Sequence, residues 1–162
     1  MERAIRRKDR AISEEEARAL LEKCEYGFMA TADGNGQPYC IPLSYIVMNN
    51  AVYFHCAPAG HKLDNIAGNP LASFSVVGAT QPVFDGGFST YYESAVVFGK
   101  VRPVMDDKEK REALVALVEK YLPEDMDKCD TAIDKSWSRT AVFAISMDRV
   151  TGKSKRRKSS KD

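Results

Sequence analysis

Residues 27–57, "GFMATADGNGQPYCIPLSYIVMNNAVYFHCA", are a series of short apolar runs separated by turn-forming residues. After "FMATA" comes "DGNGQP", whose composition is typical of a turn. The next two runs, "YCIPLSYIV" and "VYFHCA", are joined at "MNN", where asparagine tolerates positive φ. Strands joined this closely pair antiparallel, because parallel neighbours need a long crossover connection. The stretch therefore predicts an antiparallel sheet.

The rest of the chain adds helices around further strands. Ser13 and Glu16 have the spacing of a capping box at the start of a first helix, and Asp106 caps another. A short helix is predicted between them, in "HKLDNIAGNP". The other predicted strands are 71–78, 89–104 with a bend at Gly99, and 139–147. Residues 79–87 are predicted as a loop, and 124–138 as irregular or weakly helical. The order α β β β α β β α β favours a closed antiparallel barrel with peripheral helices over a doubly wound parallel sheet.

Length and charge limit the classes of partner. A chain of 162 residues with a formal charge of +1 predicts one domain with no overall attraction to nucleic acid or membrane. No apolar run approaches the roughly 18 residues of a membrane span. The four cysteines form no CxxC pair, which indicates reduced thiols and a cytoplasmic protein. We predict a domain over 1–152 and a disordered basic tail over 153–162, although such a tail can also contact an acidic partner or nucleic acid.

An anion site is one interpretation of "APAGHKLDN", residues 57–65. The first amides of a helix lack partners and carry the positive end of its dipole. Gly60 allows close approach of a ligand, Lys62 adds a positive charge, and His61 adds a donor. These features suit a phosphate group. The alternative is an ordinary helix start with a lysine facing solvent.

Two further features belong to the neighbouring strands. Pro42 has no N–H, so it indicates a sheet edge, a bulge or a place where a ligand meets the strand, with backbone groups of Leu43 and the hydroxyl of Ser44 beside it. His55 and Cys56 end the third strand. No fourth ligand accompanies these two residues and His61, so we predict no metal site.

Together these segments resemble the pyridoxamine 5′-phosphate oxidase-like flavoproteins, and within them the nitroimidazole-resistance (Nim-type) group. The resemblance runs from about Arg6 to Lys153 and is most specific in the Pro-Leu strand, "YFHCAPAGHK" and "NP". It implies an antiparallel split barrel with flanking helices that binds FMN noncovalently. It also implies a homodimer with FMN at the subunit interface.

The resemblance assigns roles position by position. It implies that Gly60, His61 and Lys62 hold the FMN phosphate and that Pro42, Leu43 and Ser44 line the flavin ring. His55, Cys56 and Ala57 would run beside the ribityl chain and ring, and Ser94 would lie near the flavin. His55 occupies the position of a histidine linked to activity in Nim-type proteins, so it is the predicted catalytic residue.

The implied function is an FMN-dependent oxidoreductase that passes electrons from reduced FMN to a small organic acceptor. True pyridoxamine phosphate oxidases carry an Arg-Lys pair where this chain has His61 and Lys62, and they use a histidine near the C-terminus that is absent here. Both differences argue against vitamin B6 oxidation. The alternative is a binding or sensor protein on the same barrel that holds flavin or haem without turnover.

Overall fold

A computed structural model of the chain describes residues 4–84 and 86–156. The strands are β1 (Ala11–Ile12), β2 (Tyr26–Ala32), β3 (Pro38–Ser44), β4 (Ile46–Met48), β5 (Ala51–Cys56), β6 (Leu71–Phe84), β7 (Phe88–Pro103), β8 (Ala141–Ser146) and β9 (Arg149–Lys155). The helices are α1 (Glu14–Lys23), α2 (His61–Gly68), α3 (Asp107–Tyr121) and α4 (Cys129–Ser136). Short 3₁₀ turns cover Lys8–Arg10, Pro123–Lys128 and Trp137–Arg139. None of the helices in these two ranges is both long and apolar enough to span a membrane.

The sheet is antiparallel but does not close. Its strands follow the order β3-β2-β6-β7-β8-β5-β4, and β9 pairs with β7 and β1. The two ends of this path, β3 and β4, are consecutive in the chain but are not paired with each other. They are separated by Tyr45, whose N–H donates to the Tyr121 hydroxyl over 2.9 Å instead of to a strand. The split barrel is confirmed, and the expectation of full closure was wrong.

The change of direction in the sheet takes place at Gly99. Residues 92–98 of β7 pair with β9, whereas Val101–Pro103 pair with β8. At the junction, a Cβ on Gly99 would lie 1.7 Å from the Ser146 carbonyl oxygen. Only glycine permits this backbone contact. The predicted bend at Gly99 is therefore the point where β7 changes its partner from β9 to β8 and so belongs to both halves of the barrel.

Local sequence signals correctly predicted the starts of α1 and α3 and one turn. Ser13 and Glu16 form both bonds of the capping box, and Asp106 accepts the Glu109 N–H over 2.8 Å. Asn49 and Asn50 have φ of 50° and 57°, which builds the tight turn between β4 and β5.

Three segments differ from the sequence expectations. Residues 79–84 continue β6 past a register shift and form a long hairpin with β7 rather than a loop. Residues 129–136 form α4, which packs on α3. Residues 149–155 form β9, which was not predicted as a strand, so ordered structure extends three residues beyond the predicted boundary at 152. The remaining part of the predicted disordered tail, 157–162, lies outside the described residues.

Two apolar clusters fill the fold. The larger lies inside the barrel, where Phe54, Phe74 and Met29 are fully buried. The smaller lies between the β5–β8 face and helices α3 and α4, and it includes Tyr53 and Val142. Because successive strand residues point to opposite faces, Val52 and Phe54 of β5 belong to the larger cluster, and Ala51 and Tyr53 belong to the smaller one.

Candidate functional site

The turn after β5 places an unblocked helix N-terminus at the surface. Gly60 precedes α2 with φ of 139° and ψ of 166°, and no side chain caps the helix there. Its carbonyl accepts the N–H groups of Leu63 and Asp64 over 2.8 and 3.2 Å. A Cβ on Gly60 would meet no atom within 4 Å. The site thus has open space in front of the first amides of the helix, as an anion requires.

Helix α2 is held against the end of the sheet by contacts with the paired strands β2 and β3. The ring of His61 lies against the ring of Tyr39 on β3, with centroids 4.1 Å apart and planes 33° apart. The buried Asn65 amide donates to the Thr31 hydroxyl over 3.1 Å. These two contacts fix the first two turns of α2 beside the free edge of β3.

Lys62 lies at the end of β5. Burial raises the pKa of the Cys56 thiol, and the nearby positive charge of Lys62 opposes that effect. No carboxylate pairs with Lys62 within residues 4–84 and 86–156. The half-buried ammonium group is therefore available to a ligand at the helix N-terminus.

The three predicted residues of β3 lie on two faces of an edge strand. Pro42 and Ser44 are exposed on the outer face, while Leu43 is half-buried and packs on the interior core, as Cys56 does. In the ladder Pro42 is opposite Phe28 of β2, and among the described residues no strand pairs with the other side of β3. A proline is tolerated here because an edge strand has one side free of ladder bonds.

His55 and Cys56 point away from each other. His55 is opposite Val142 in the β5–β8 ladder, so its side chain is on the α3–α4 side of the sheet, whereas Cys56 faces the interior. The imidazole keeps contact with solvent, but the protein around it lowers its pKa through desolvation. His55 is thus neutral at pH 7 and lies on a different face from Cys56, Leu43 and Lys62. Ala57 follows in the exposed turn.

Ser94 is the predicted site residue that the structure separates from the others. It lies in one cross-strand row with Val77, Tyr26 and Ser44 on the outer face. Three strand spacings divide Ser94 from Ser44, which corresponds to roughly 14 Å. One flavin ring placed at β3 cannot contact both residues within a single chain.

A comparison with protein families identifies the chain. The sequence profile described as pyridoxamine 5′-phosphate oxidase matches residues 13–154. The chain belongs to that family. The match extends into β9, which confirms that this strand is part of the domain. A search of curated proteins found no match.

Solved structures with the family's fold include flavin-binding proteins. A candidate 5-nitroimidazole antibiotic resistance protein from Bacteroides thetaiotaomicron is 25% identical, with a TM-score of 0.76 over 88% of this chain and 85% of that one. An FAD-binding protein from Mesorhizobium loti is 22% identical, with a TM-score of 0.68 over 91% and 98%. The FAD and haem binding protein from Mycobacterium smegmatis is 22% identical, with a TM-score of 0.77 over 90% and 72%. The last two show the shared split-barrel fold.

Membership of the pyridoxamine 5′-phosphate oxidase family helps to interpret the geometry of α2. The open N-terminus with Gly60 and Lys62, next to an edge strand, suits a phosphorylated flavin. Tyr39 is the residue at this site that sequence reasoning missed. Its signal was weak, because an aromatic residue in an apolar strand is more often part of a core than a support for a histidine on another element.

Proposed function

We propose that this protein is an FMN-dependent oxidoreductase of the pyridoxamine 5′-phosphate oxidase family that works as a homodimer and reduces a small organic acceptor. The observation that carries the proposal is the open N-terminus of α2, where Gly60 leaves room and Lys62 supplies an unpaired charge. The free cysteines agree with a reducing compartment, and the cytoplasm is the proposed location.

The chain's own groups would hold and orient the cofactor. Lys62 and the amides at the start of α2 would bind the phosphate, and His61 would be held in place for the same task by its stacking on Tyr39. Pro42–Ser44 would offer the backbone of the β3 edge to the flavin ring, with Cys56 and Ala57 beside the ribityl chain. FMN supplies the two-electron redox chemistry when bound.

A homodimer would complete the site. The outer face carries exposed apolar side chains at Tyr26, Phe28, Val77 and Phe98, and large exposed apolar patches are typical of interfaces. If two such faces meet, Ser94 of one subunit lies opposite the β3 region of its partner. This arrangement accounts for a flavin-site residue roughly 14 Å from Ser44 in the same chain.

His55 stays the proposed catalytic residue, and its position on the α3–α4 side of β5 means that it would exchange a proton at the end of that strand rather than on the interior face of Cys56 and Leu43. Because its pKa is lowered, the imidazole is neutral at pH 7 and can take up or relay a proton. His55→Gln should leave FMN affinity within about threefold while slowing acceptor-dependent reoxidation of reduced flavin by about 10²-fold, the lower end of general acid–base effects. If His55→Gln weakens FMN binding by the same factor as it slows reoxidation, His55 is a binding residue instead.

The direct test compares FMN with riboflavin, which lacks the phosphate. Wild-type protein should bind FMN at least about 30-fold more tightly, as expected for charge-assisted hydrogen bonds to a phosphate. Lys62→Gln should lower the ratio of the riboflavin Kd to the FMN Kd by about tenfold. Lys108→Gln is the matched control, because Lys108 is likewise the second residue of its helix and is exposed. Equal affinities for FMN and riboflavin would refute the phosphate site, and a chain that takes up neither would refute the flavoprotein.

The second candidate is a binding or sensor protein without turnover. It is favoured by the likeness to a protein named for binding both FAD and haem. Here His55 or His61 would be an iron ligand, and the anion site at α2 would have no role in holding haem. Stopped-flow reoxidation of the reduced flavin separates the two functions, since acceptor-independent rates support binding alone and acceptor-dependent rates support an enzyme.

A further inference from the structure

A second polar cleft lies on the outer face of the sheet, away from α2. Residues 4–6 and strands β7 and β9 together line a cleft of about 520 Å³. Arg149, Thr151 and Lys153 alternate with buried residues along β9, so all three face this cleft. Its volume is in the range of sites for small molecules, roughly 300–1,000 Å³.

The polar lining of the cleft is cationic and donor-rich. Arg6, Arg149 and Lys153 bring positive charge to it, and Ser94 and Thr151 add hydroxyl groups. None of the described lining residues is acidic. Within the described ranges, Arg6 and Lys153 form no ion pair with a carboxylate. A ligand bound here would therefore meet uncompensated positive charge.

The floor of the same cleft is apolar and flat. Phe98 is 45% exposed and Val96 is half-buried beside it. The guanidinium of Arg149 lies over the Phe98 ring, 5.7 Å from its centroid. This surface can stack against a planar group while the cations bind a charge at one end of that group.

We infer that this cleft binds a small organic acid whose planar apolar body carries a reducible group, and that such acids are the acceptors of the enzyme. With a nitro group as the acceptor, two electrons from reduced FMN and two protons break one N–O bond and give a nitroso group and water. The assignment of the acid as an acceptor rests on the proposed function. Ser94 connects the two sites, because it lines the cleft and, in the proposed dimer, faces the partner's flavin. The carboxylate would lie among Arg6, Arg149 and Lys153, with the ring on Phe98.

The test uses 4-nitrobenzoate and 4-nitrobenzamide, which match in size and differ in charge. Calorimetry on the full chain, with and without FMN, should show about tenfold tighter binding of the acid, the effect of a charge-assisted hydrogen bond. The double substitution Arg6→Gln/Lys153→Gln should reduce this preference to about twofold. The remaining preference would come from Arg149. The control Lys108→Gln/Lys135→Gln removes two lysines that do not line the cleft and should keep it.

The outcomes separate this inference from the flavoprotein proposal. The inference is overturned if the protein takes up flavin but shows no preference for the acid, or if the preference survives in Arg6→Gln/Lys153→Gln. Either result leaves the flavoprotein proposal standing. Preference for the acid in a chain that takes up no flavin supports the cleft and overturns the acceptor role. If Arg6→Gln/Lys153→Gln also abolishes the preference for FMN over riboflavin, the cleft binds the cofactor's phosphate and the acid assignment is wrong.

Discussion

The close contact at Gly99 predicts that Gly99→Ala strongly destabilises the fold. The new Cβ would lie 1.7 Å from the Ser146 carbonyl oxygen and 2.7 Å from its carbonyl carbon. Both atoms are backbone, so no side-chain rotation relieves the overlap. Either β7 or β8 must move, which disturbs the pairing of Val101 with Ile145 and the bond from the Lys100 N–H to the Ser146 hydroxyl at 2.9 Å.

The expected loss is about 3 kcal/mol. Overpacking alone costs about 1–3 kcal/mol, and the upper end applies where backbone atoms collide. Loss of the Lys100–Ser146 hydrogen bond, worth about 1 kcal/mol by itself, is included in that value. For a domain of this size the melting temperature should fall by roughly 6–12 °C, at about 2–4 °C per kcal/mol.

Urea unfolding of the flavin-free chain, followed by far-ultraviolet circular dichroism, measures this loss. Protein concentration is held fixed, because dimerisation contributes to apparent stability. Gly34→Ala is the control, since a Cβ there meets no atom within 4 Å and the residue does not need positive φ. A Gly99→Ala variant within about 1 kcal/mol of wild type would show that the strand junction tolerates a side chain, and the reasoning would fail.

Three further predictions follow from single contacts. Ser13→Ala should lower the free energy of unfolding by about 1 kcal/mol, measured in urea, through loss of the capping box. The pKa of Glu109 is lowered by its hydrogen bonds from Arg102 and Tyr53, so its stabilising effect is present at neutral pH and is lost as pH falls through the folded pKa. Glu109→Gln should therefore cost stability at pH 7 and less in acid; a cost independent of pH would contradict this. Val77→Glu on the exposed outer face should convert a dimer to monomers in light scattering, and a persistent dimer would locate the interface elsewhere.

Local sequence signals predicted the elements whose causes are local. The capping box at Ser13, the Asn49–Asn50 turn and the bend at Gly99 each depend on residues that restrict their own backbone. Residues 79–84 and 149–155 were missed as strands because they are rich in polar residues, Gly or Pro and have little apolar alternation. Their strand structure depends on partners: β6 continues because β7 lies beside it, and β9 forms between β7 and β1.

For the candidate site, the sequence gives a hypothesis about its residues but no geometry. The helix start indicated Lys62, the proline within a strand indicated Pro42, and the family resemblance added Ser94. None of these signals showed that Ser94 lies three strands away from Ser44. Alternation along β5 puts His55 and Cys56 on opposite faces, but only pairing with β8 assigns His55 to the α3–α4 side. Tyr39 could not be found, because its stacking on His61 depends on how α2 packs across two strands.

The split in the barrel and the candidate site have one cause. Because the chain leaves the ladder at Tyr45, β3 and β4 do not pair with each other, and β3 keeps a free edge. That edge accommodates Pro42, whose missing N–H would weaken a central strand. Helix α2 packs beside it, with His61 on Tyr39 of β3 and Asn65 on Thr31 of β2. The helix N-terminus is thereby held beside the β3 edge, so the feature that prevents closure also brings together the groups of the proposed FMN site.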